Sequence, residues 1–307
     1  MIARHFPNQY FLFSYLQRIE KHCNVSVNRP YTKNELLKIL AAERMKTKYF
    51  FALLSLLFVY NGFVFAQGQA QLSAADKSAL EGIIVEKYYV AGPSDYADTS
   101  GGALPEGAIT YRIYVDMKPD YRLQVVYGKA NHELRIVTST TFYNNKNCGA
   151  LVGYNVEYSQ LNEGAYALDS WITLNSATNR HAGVLRADDS DGSILTKKDF
   201  TKTDGLTNGN LPVFKPFNID LNFFNWVKDP SVFTTSNGGW GALSGVVGGT
   251  KGPTADNRVL IAQLTTNGKL SFDLNIQVGT PSGGTVQFVA KNAEGSEIKF
   301  AGLSYGN

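Results

Sequence analysis

The most regular stretch of the chain is Lys269–Val278, KLSFDLNIQV. Leu270, Phe272, Leu274, Ile276 and Val278 are apolar, and Ser271, Asp273, Asn275 and Gln277 between them are polar. Such alternation describes a strand with one dry face and one wet face. A helix would scatter the same five apolar residues around its circumference. The pattern predicts a central strand of an antiparallel sheet. Other segments join it. Gly82–Val90 reads as a strand. Ile109–Asp116 puts Tyr111, Ile113 and Val115 on one face and Arg112 and Tyr114 on the other. Tyr121–Tyr127 turns Leu123, Val125 and Tyr127 inward, and with the turn at Met117–Asp120 it predicts a β-hairpin. His132–Phe142 keeps Leu134, Ile136, Thr138, Thr140 and Phe142 in phase, and Ala167–Leu174 is a strand carrying Trp171. Arg258–Leu264, Leu270–Val278, Thr285–Ala290 and Glu297–Leu303 form a closing run of strands. Asn267-Gly268 is the strongest hairpin-turn signal in the chain.

The segments between strands are rich in turn formers. Pro93–Gly107 is expected to be an exposed loop, Asn144–Gly149 a turn cluster, and Arg186–Gly209 a long irregular excursion. Pro212–Phe224 is expected to cross between sheets. Ser236–Gly249, glycine-rich around Trp240, is expected to bring backbones close together. About a dozen short strands with little helix and frequent turns predict an all-β fold, a two-sheet antiparallel β-sandwich with jelly-roll-like connections. No internal repeat and no linker divides residues 80–307, which are expected to form a single domain. Residues 67–79 read as an N-terminal linker, with Ser73 as a cap for a short turn of helix.

The N-terminal region follows another logic. Met45-Lys46-Thr47-Lys48 is a short basic stretch, Tyr49–Phe65 is almost wholly apolar, and Val64-Phe65-Ala66 places small residues at the −3 and −1 positions of a cleavage site before Gln67. Residues 45–66 are expected to be a signal peptide, in preference to a retained membrane anchor, because Asn61-Gly62 interrupts an already short apolar span. Residues 1–44 then read as an over-extended N-terminus, although the capping box Thr32-Lys33-Asn34-Glu35 could start a short helix. This region also distorts the charge. Residues 1–66 hold nine Lys/Arg and three Asp/Glu, which leaves 20 basic and 23 acidic residues in 67–307. No nucleic-acid partner is expected of a mature chain with that balance. After cleavage Cys148 is the one remaining cysteine, so no intrachain disulfide is expected, and no stable membrane anchor remains.

Several blocks resemble an uncharacterised family of exported β-rich proteins of the Bacteroidota: LEGIIVEKYYV, LPEGAITYRIYVDMKPDYRLQVVYG, HELRIVTSTTFYNN, LDSWITL, FTTSNGGWGAL and VLIAQLTTNGKLSFDLNIQVGTPSGGTVQFVA. The resemblance covers most of residues 80–304. It implies one β-rich module and export, and names no catalytic residue or ligand. Some members carry a C-terminal sorting domain of the type IX secretion system. The last expected strand here runs almost to Asn307, so that export route is not implied for this chain.

Candidate chemistry is sparse. His132-Glu133 are neighbours in an expected strand and should face opposite ways, and His181 has no orienting neighbour. Glu133, Asp169, Asp220 and Asp273 lie on or near expected strands and could pair across a cleft as in glycoside hydrolysis. Asp188, Asp189 and Asp191 form the most metal-like run, with Gly192 permitting a tight turn. Ca²⁺ is the cation such oxygen ligands would suit, yet Ala187 stands where a full calcium loop needs an acid. No cofactor is otherwise expected. Trp240, framed by Gly238, Gly239 and Gly241, could stand on a loop rim and stack on a sugar or anchor a partner, and Trp171 is the second ligand-binding candidate. The expectation is a secreted or cell-surface non-catalytic binding module for a glycan, polymer or surface protein, with a periplasmic location as a variant. The alternatives are a carbohydrate-active hydrolase using paired carboxylates and a structural subunit of an extracellular assembly. The sequence leaves the oligomeric state open.

Overall fold

A computed structural model describes residues 72–97, 101–102, 104–147, 149–189, 204–209, 211–220, 231–242 and 248–306. The signal-peptide segment, residues 1–44, Cys148 and Asp191 lie outside the described residues. The chain enters through a short helix, α1 (Ala74–Lys77). It is started by a capping box in which Asp76 N–H donates to Ser73 Oγ at 3.1 Å and Ser73 N–H donates to Asp76 Oδ2 at 3.1 Å. A second, α2 (Pro93–Ala97), follows β1. The strands in chain order are β1 (Leu80–Val90), β2 (Ile109–Met117), β3 (Arg122–Tyr127), β4 (Leu134–Thr138), β5 (Trp171–Ile172), β6 (Ala182–Gly183), β7 (Leu206–Thr207), β8 (Lys215–Phe217), β9 (Val232–Thr235), β10 (Gly239–Gly241), β11 (Arg258–Thr266), β12 (Leu270–Asp273), β13 (Asn275–Gly279), β14 (Thr285–Val289), β15 (Ile298–Lys299) and β16 (Ser304–Tyr305).

They build an all-β, two-layer antiparallel sandwich. One layer is the sheet β1-β2-β11-β5. The other is made of two sheets, β15-β14-β13-β3-β10-β8 and β16-β12-β4-β9, which share three lines of chain: β3 runs on to β4, β9 to β10 and β12 to β13. Pairing is antiparallel throughout these layers except between β14 and β15. The main core lies between the layers. Ile113, Val115, Val259 and Leu264 from the first meet Val126, Leu134, Ile136, Trp240, Phe272, Ile276 and Phe288 from the second.

The Lys269–Val278 alternation is present in the burial, with Leu270, Phe272, Leu274, Ile276 and Val278 all inward. It is divided, however, at Leu274, where the chain passes from the β12 sheet to the β13 sheet. Asn275 pins this bend from inside: its Nδ2 donates to Tyr127 O at 3.2 Å and His132 O at 3.1 Å.

Both expected hairpins are crossovers instead. β2 pairs with β1 and β11, whereas β3 pairs with β13 and β10, so the Met117–Asp120 turn carries the chain from one layer to the other. β11 and β12 likewise lie in different layers, and Asn267-Gly268 connects layers rather than paired strands. Neither Asn267 nor Gly268 has the positive φ that a two-residue hairpin turn demands. The inward set on β3 also differs. A register shift opposite Gln277/Val278 leaves Gln124 without a register partner on β13, and it is Leu123 and Val126, not Val125 and Tyr127, that enter the main core. His132–Phe142 and Ala167–Leu174 contain only the short strands β4 and β5, and Pro93–Gly107 holds a short helix and the buried Leu104.

β2 is buried on both faces, which two apolar-looking faces could not distinguish from an exposed amphipathic strand. Its outer face is covered by the excursion between β5 and β7. Arg112 stacks 3.7 Å from the Tyr88 ring centroid, and its Nε donates to Gln263 Oε1 at 2.9 Å and its Nη1 to Gly205 O at 3.0 Å. Tyr114 O–H donates to Val184 O at 2.7 Å. These bonds satisfy a buried guanidinium and a buried phenol that would otherwise be costly.

Candidate functional site

Trp240 does not stand on a rim. It lies in β10 between β3 and β8, is 0% exposed, and its Nε1 donates to Thr173 O at 2.9 Å. The framing glycines serve the backbone. A Cβ on Gly239 would collide with Val126 O, so the strand approaches β3 only because that residue is glycine. Trp171 is equally enclosed, packed with Tyr114, Tyr166 and Leu260 under the outer excursion. The reading of Trp240 as an open-faced ligand platform is therefore corrected, and Trp171, the second ligand-binding candidate, is buried as well: each ring is core.

The acidic candidates are engaged with the protein. Asp188 Oδ2 pairs with Arg258 Nη1 at 2.8 Å, and Asp189 Oδ2 accepts from Gly205 N–H at 2.9 Å, so the two described members of the metal-like run hold the turn at 186–189. Among the described residues no group of three His, Cys, Asp or Glu side chains is gathered in metal-binding geometry. Asp273 accepts from Lys291 Nζ at 2.7 Å and from the Ser304 hydroxyl at 2.6 Å. Glu133 and Asp220 are both exposed, and neither lines a described cavity. Asp169 is wholly buried, and its carboxylate accepts from Asn145 N–H at 2.8 Å and Ala150 N–H at 2.6 Å. Burial pushes its pKa up to about 7, against these hydrogen bonds, which favour the ionised form.

The histidines find partners that the sequence did not suggest. His132 Nε2 lies 2.8 Å from Glu297 Oε2 with both side chains buried, and Lys129 also contacts Glu297. The Lys129 and His132 contacts hold the Glu297 carboxyl below its usual range against the opposing cost of burial. His181 packs 4.4 Å from the Tyr158 ring, and burial lowers its pKa.

The site with unclaimed chemistry is a cleft of about 180 Å³ at one end of the sandwich, lined by Gly102, Leu104, Pro105, Thr141, Phe142, Tyr143, Asn144, Lys146, Thr266 and Asn267. Three pieces of chain meet there. Phe142 is driven into the main core and anchors the segment that leaves β4, and Tyr143 N–H donates to Thr265 O at 2.8 Å. Asp169 then grips Asn145 and Ala150, which fixes the loop between them. Opposite, Gly101 and Gly102 have φ of +78° and +105°, a backbone only glycine adopts without strain, and Gly101 O accepts from Lys146 N–H at 2.7 Å. The Lys146 stem lies along Gly102. The third wall is the Thr266-Asn267 crossover. Thr138 Oγ1 lies 2.7 Å and Thr140 Oγ1 3.0 Å from Thr266 Oγ1, and the Thr140 hydroxyl donates to Asn267 Oδ1 at 2.7 Å.

At the wall of this cleft Asn144 is anomalous. It is 4% exposed, and among the described residues neither its amide nitrogen nor its amide oxygen has a hydrogen-bond partner. Buried amides normally find partners, and leaving both ends unpaired costs on the order of a few kcal/mol. The backbone does not call for asparagine here, because φ at Asn144 is not positive. Other buried atoms without partners, such as Ser176 Oγ and Thr250 Oγ1, are single atoms on residues that line neither described cavity. Lys146 and Asn267 were read in the sequence as turn residues, and nothing in a one-dimensional pattern marks them as sharing a cavity with Asn144. The second cavity is smaller and enclosed by Tyr88, Arg112, Trp171 and their neighbours, with the Arg112 guanidinium already bonded as described. Neither cavity is lined by a carboxylate. No protein-family model, curated protein or solved structure matches this chain.

Proposed function

We propose that the protein is a secreted or cell-surface binding module without catalytic activity, and that its ligand seats in the Asn144 cleft. The observation that carries this reading is the buried, doubly unpaired amide of Asn144 behind the wall of a small open cleft of about 180 Å³. Both amide atoms are sealed from the open space, so a ligand bearing a donor and an acceptor would pair them by displacing the cleft wall. Two of the acids that could have paired across a cleft are held by the protein itself, Asp169 by backbone N–H groups and Asp273 by Lys291 and Ser304, which favours binding over the paired-acid hydrolase. Export rests on the Met45–Ala66 signal pattern and on the resemblance to exported β-rich proteins.

The test is a panel of immobilised glycans, envelope polymers and surface proteins, probed with wild type and Asn144→Ala. The expected outcome is a ligand whose retention falls at least tenfold in the variant while the melting temperature holds or rises, since the substitution removes unpaired polar atoms. Retention of every bound ligand at full strength by Asn144→Ala would remove the cleft from the function.

A further inference from the structure

The edges of the two layers are unequal. β5, β15 and β16 are two residues long, β9 is four, and β8 is three with Pro216 at its centre. Short strands and proline are the usual protection of a sheet edge. β1, which ends the sheet β1-β2-β11-β5, is eleven residues long and contains no proline. It is regular from Gly82 to Lys87, between bulges at Glu81 and Tyr88. On the side away from β2, residues 81–87 make no backbone hydrogen bond among the described residues, and beyond them Arg186 Nη1 donates to Tyr88 O at 2.8 Å. Ile83, Ile84 and Val85 lie half-buried at the centre of this edge. Glu81 and Lys87, at its ends, are exposed and form no ion pair among the described residues. Gly82 is not called for by the single chain. Its φ is not positive, and a Cβ there would meet nothing within 4 Å. Glycine weakens a strand interior and often marks a place that another group approaches closely.

From this we infer that β1 is a homodimer interface, in which the β1 edges of two copies pair antiparallel about a two-fold axis at Ile84 and join two four-stranded sheets into one. In this register Ile84 meets its own copy on the face of the outer excursion, and Ile83 meets Val85 on the core face. Cross-strand pairs of β-branched residues stabilise a sheet. Lys87 comes opposite Glu81, twice by symmetry, and Glu86 comes opposite Gly82, where the missing side chain leaves it room. Other registers lose these matches. A shift of two residues sets Glu81 against Val85 or Tyr89, and a shift of one opposes residues from different faces. Lys87 guards the edge against unselected strands, and a strand with an acid in the matching place, as a second copy has, answers it. None of these residues lines the Asn144 cleft, so the interface stands apart from the binding role proposed above.

Sedimentation velocity on the chain from Gln67 onward tests the interface, and a dimer that dissociates on dilution is expected. Glu81→Lys and Lys87→Glu each set like charges opposite one another at both symmetric positions, and each should raise the dissociation constant about tenfold. The double variant Glu81→Lys/Lys87→Glu restores opposite charges and should return the constant to within about twofold of wild type. Both side chains are exposed, so these variants should fold as wild type does. Ile84→Cys, combined with Cys148→Ser, should form a disulfide-linked dimer on mild oxidation, because that position faces its own copy. Glu81→Cys in the same background faces Lys87 and should not. A monomer at every concentration would overturn the inference and leave the edge to a strand of another protein. A dimer indifferent to the single charge changes, or cross-linked as readily through Glu81→Cys as through Ile84→Cys, would overturn it by placing the interface elsewhere.

Discussion

Two buried polar side chains beside the cleft illustrate how differently one environment treats an amide and an acid. Asn144 is unpaired, whereas Asp169 is paired with backbone donors and so sets the loop that presents Asn144 and Lys146. The Asp169 pKa is raised from an ordinary carboxylate value near 4 to about 7, because desolvation outweighs the hydrogen bonds from Asn145, Ala150 and Ser170. Between about pH 4 and about pH 7 the native state then holds a proton that the unfolded chain has released. Stability contributed by this group therefore falls as pH rises through that window and is level above it. The carboxyl ¹³C shift of Asp169 is expected to titrate with a midpoint near 7; a midpoint near 4 would show that its hydrogen bonds prevail. Asp169→Asn should flatten the decline in melting temperature over the same window. At this scale the sequence misled most where residue type was ambiguous. A tryptophan among glycines looks like an exposed platform, yet the glycines at 239 and 241 are there so that β10 can lie close to β3 with Trp240 underneath.

At the scale of elements, period-two alternation located β2, β4 and the β12–β13 line; one dry face against a two-layer core explains β4 and β12–β13, whereas β2 is covered on both faces. Alternation does not encode which strand a given strand pairs with. The turns at Met117–Asp120 and Asn267-Gly268 were read as hairpins from local chemistry, but inter-layer packing decides their geometry. Division of the Lys269–Val278 run was equally hidden, since Leu274 is inward on either side of the bend. The bend depends on Asn275, whose side chain bonds two carbonyls of the β3–β4 line. Asn275→Leu would keep the volume and strand Tyr127 O and His132 O without that partner. Because His132 O keeps the Lys129 N–H at 2.9 Å, a loss of about 1–2 kcal/mol is expected from the missing amide bonds, measured as a lower urea midpoint with an unchanged slope. An unchanged midpoint would mean that water replaces the amide and that the bend is set elsewhere.

Across the whole molecule, the crossovers at Met117–Asp120 and Asn267-Gly268 tie the layers together so that neither is a continuous run of chain. β2 and β3 are consecutive yet contribute to opposite sides of one core, as do β11 and β12. The same core receives Phe142 from the cleft segment and Trp240 from β10, and Trp240 in turn is bonded to Thr173 beyond β5. No layer can keep its apolar face covered once the other has left, and the cleft walls are continuous with strands of both. The chain from Gln67 onward should therefore melt in one transition, with near-ultraviolet, far-ultraviolet and calorimetric midpoints coinciding. Its folding should be slow for its size, because most of its pairings join residues distant in sequence. The outer excursion supplies the sharpest challenge to this expectation. Trp171, Tyr166 and Leu206 form a second apolar cluster on the far side of β2. If that cluster melted first, Trp171 fluorescence would change before the far-ultraviolet signal, and the double variant Trp226→Phe/Trp240→Phe would isolate it by leaving Trp171 as the one tryptophan. A coincident transition in that variant shows that Arg112, bonded to Gln263 and Gly205, couples the excursion to the sandwich. An early transition would instead make the excursion a separate layer, laid on a sandwich that is stable without it.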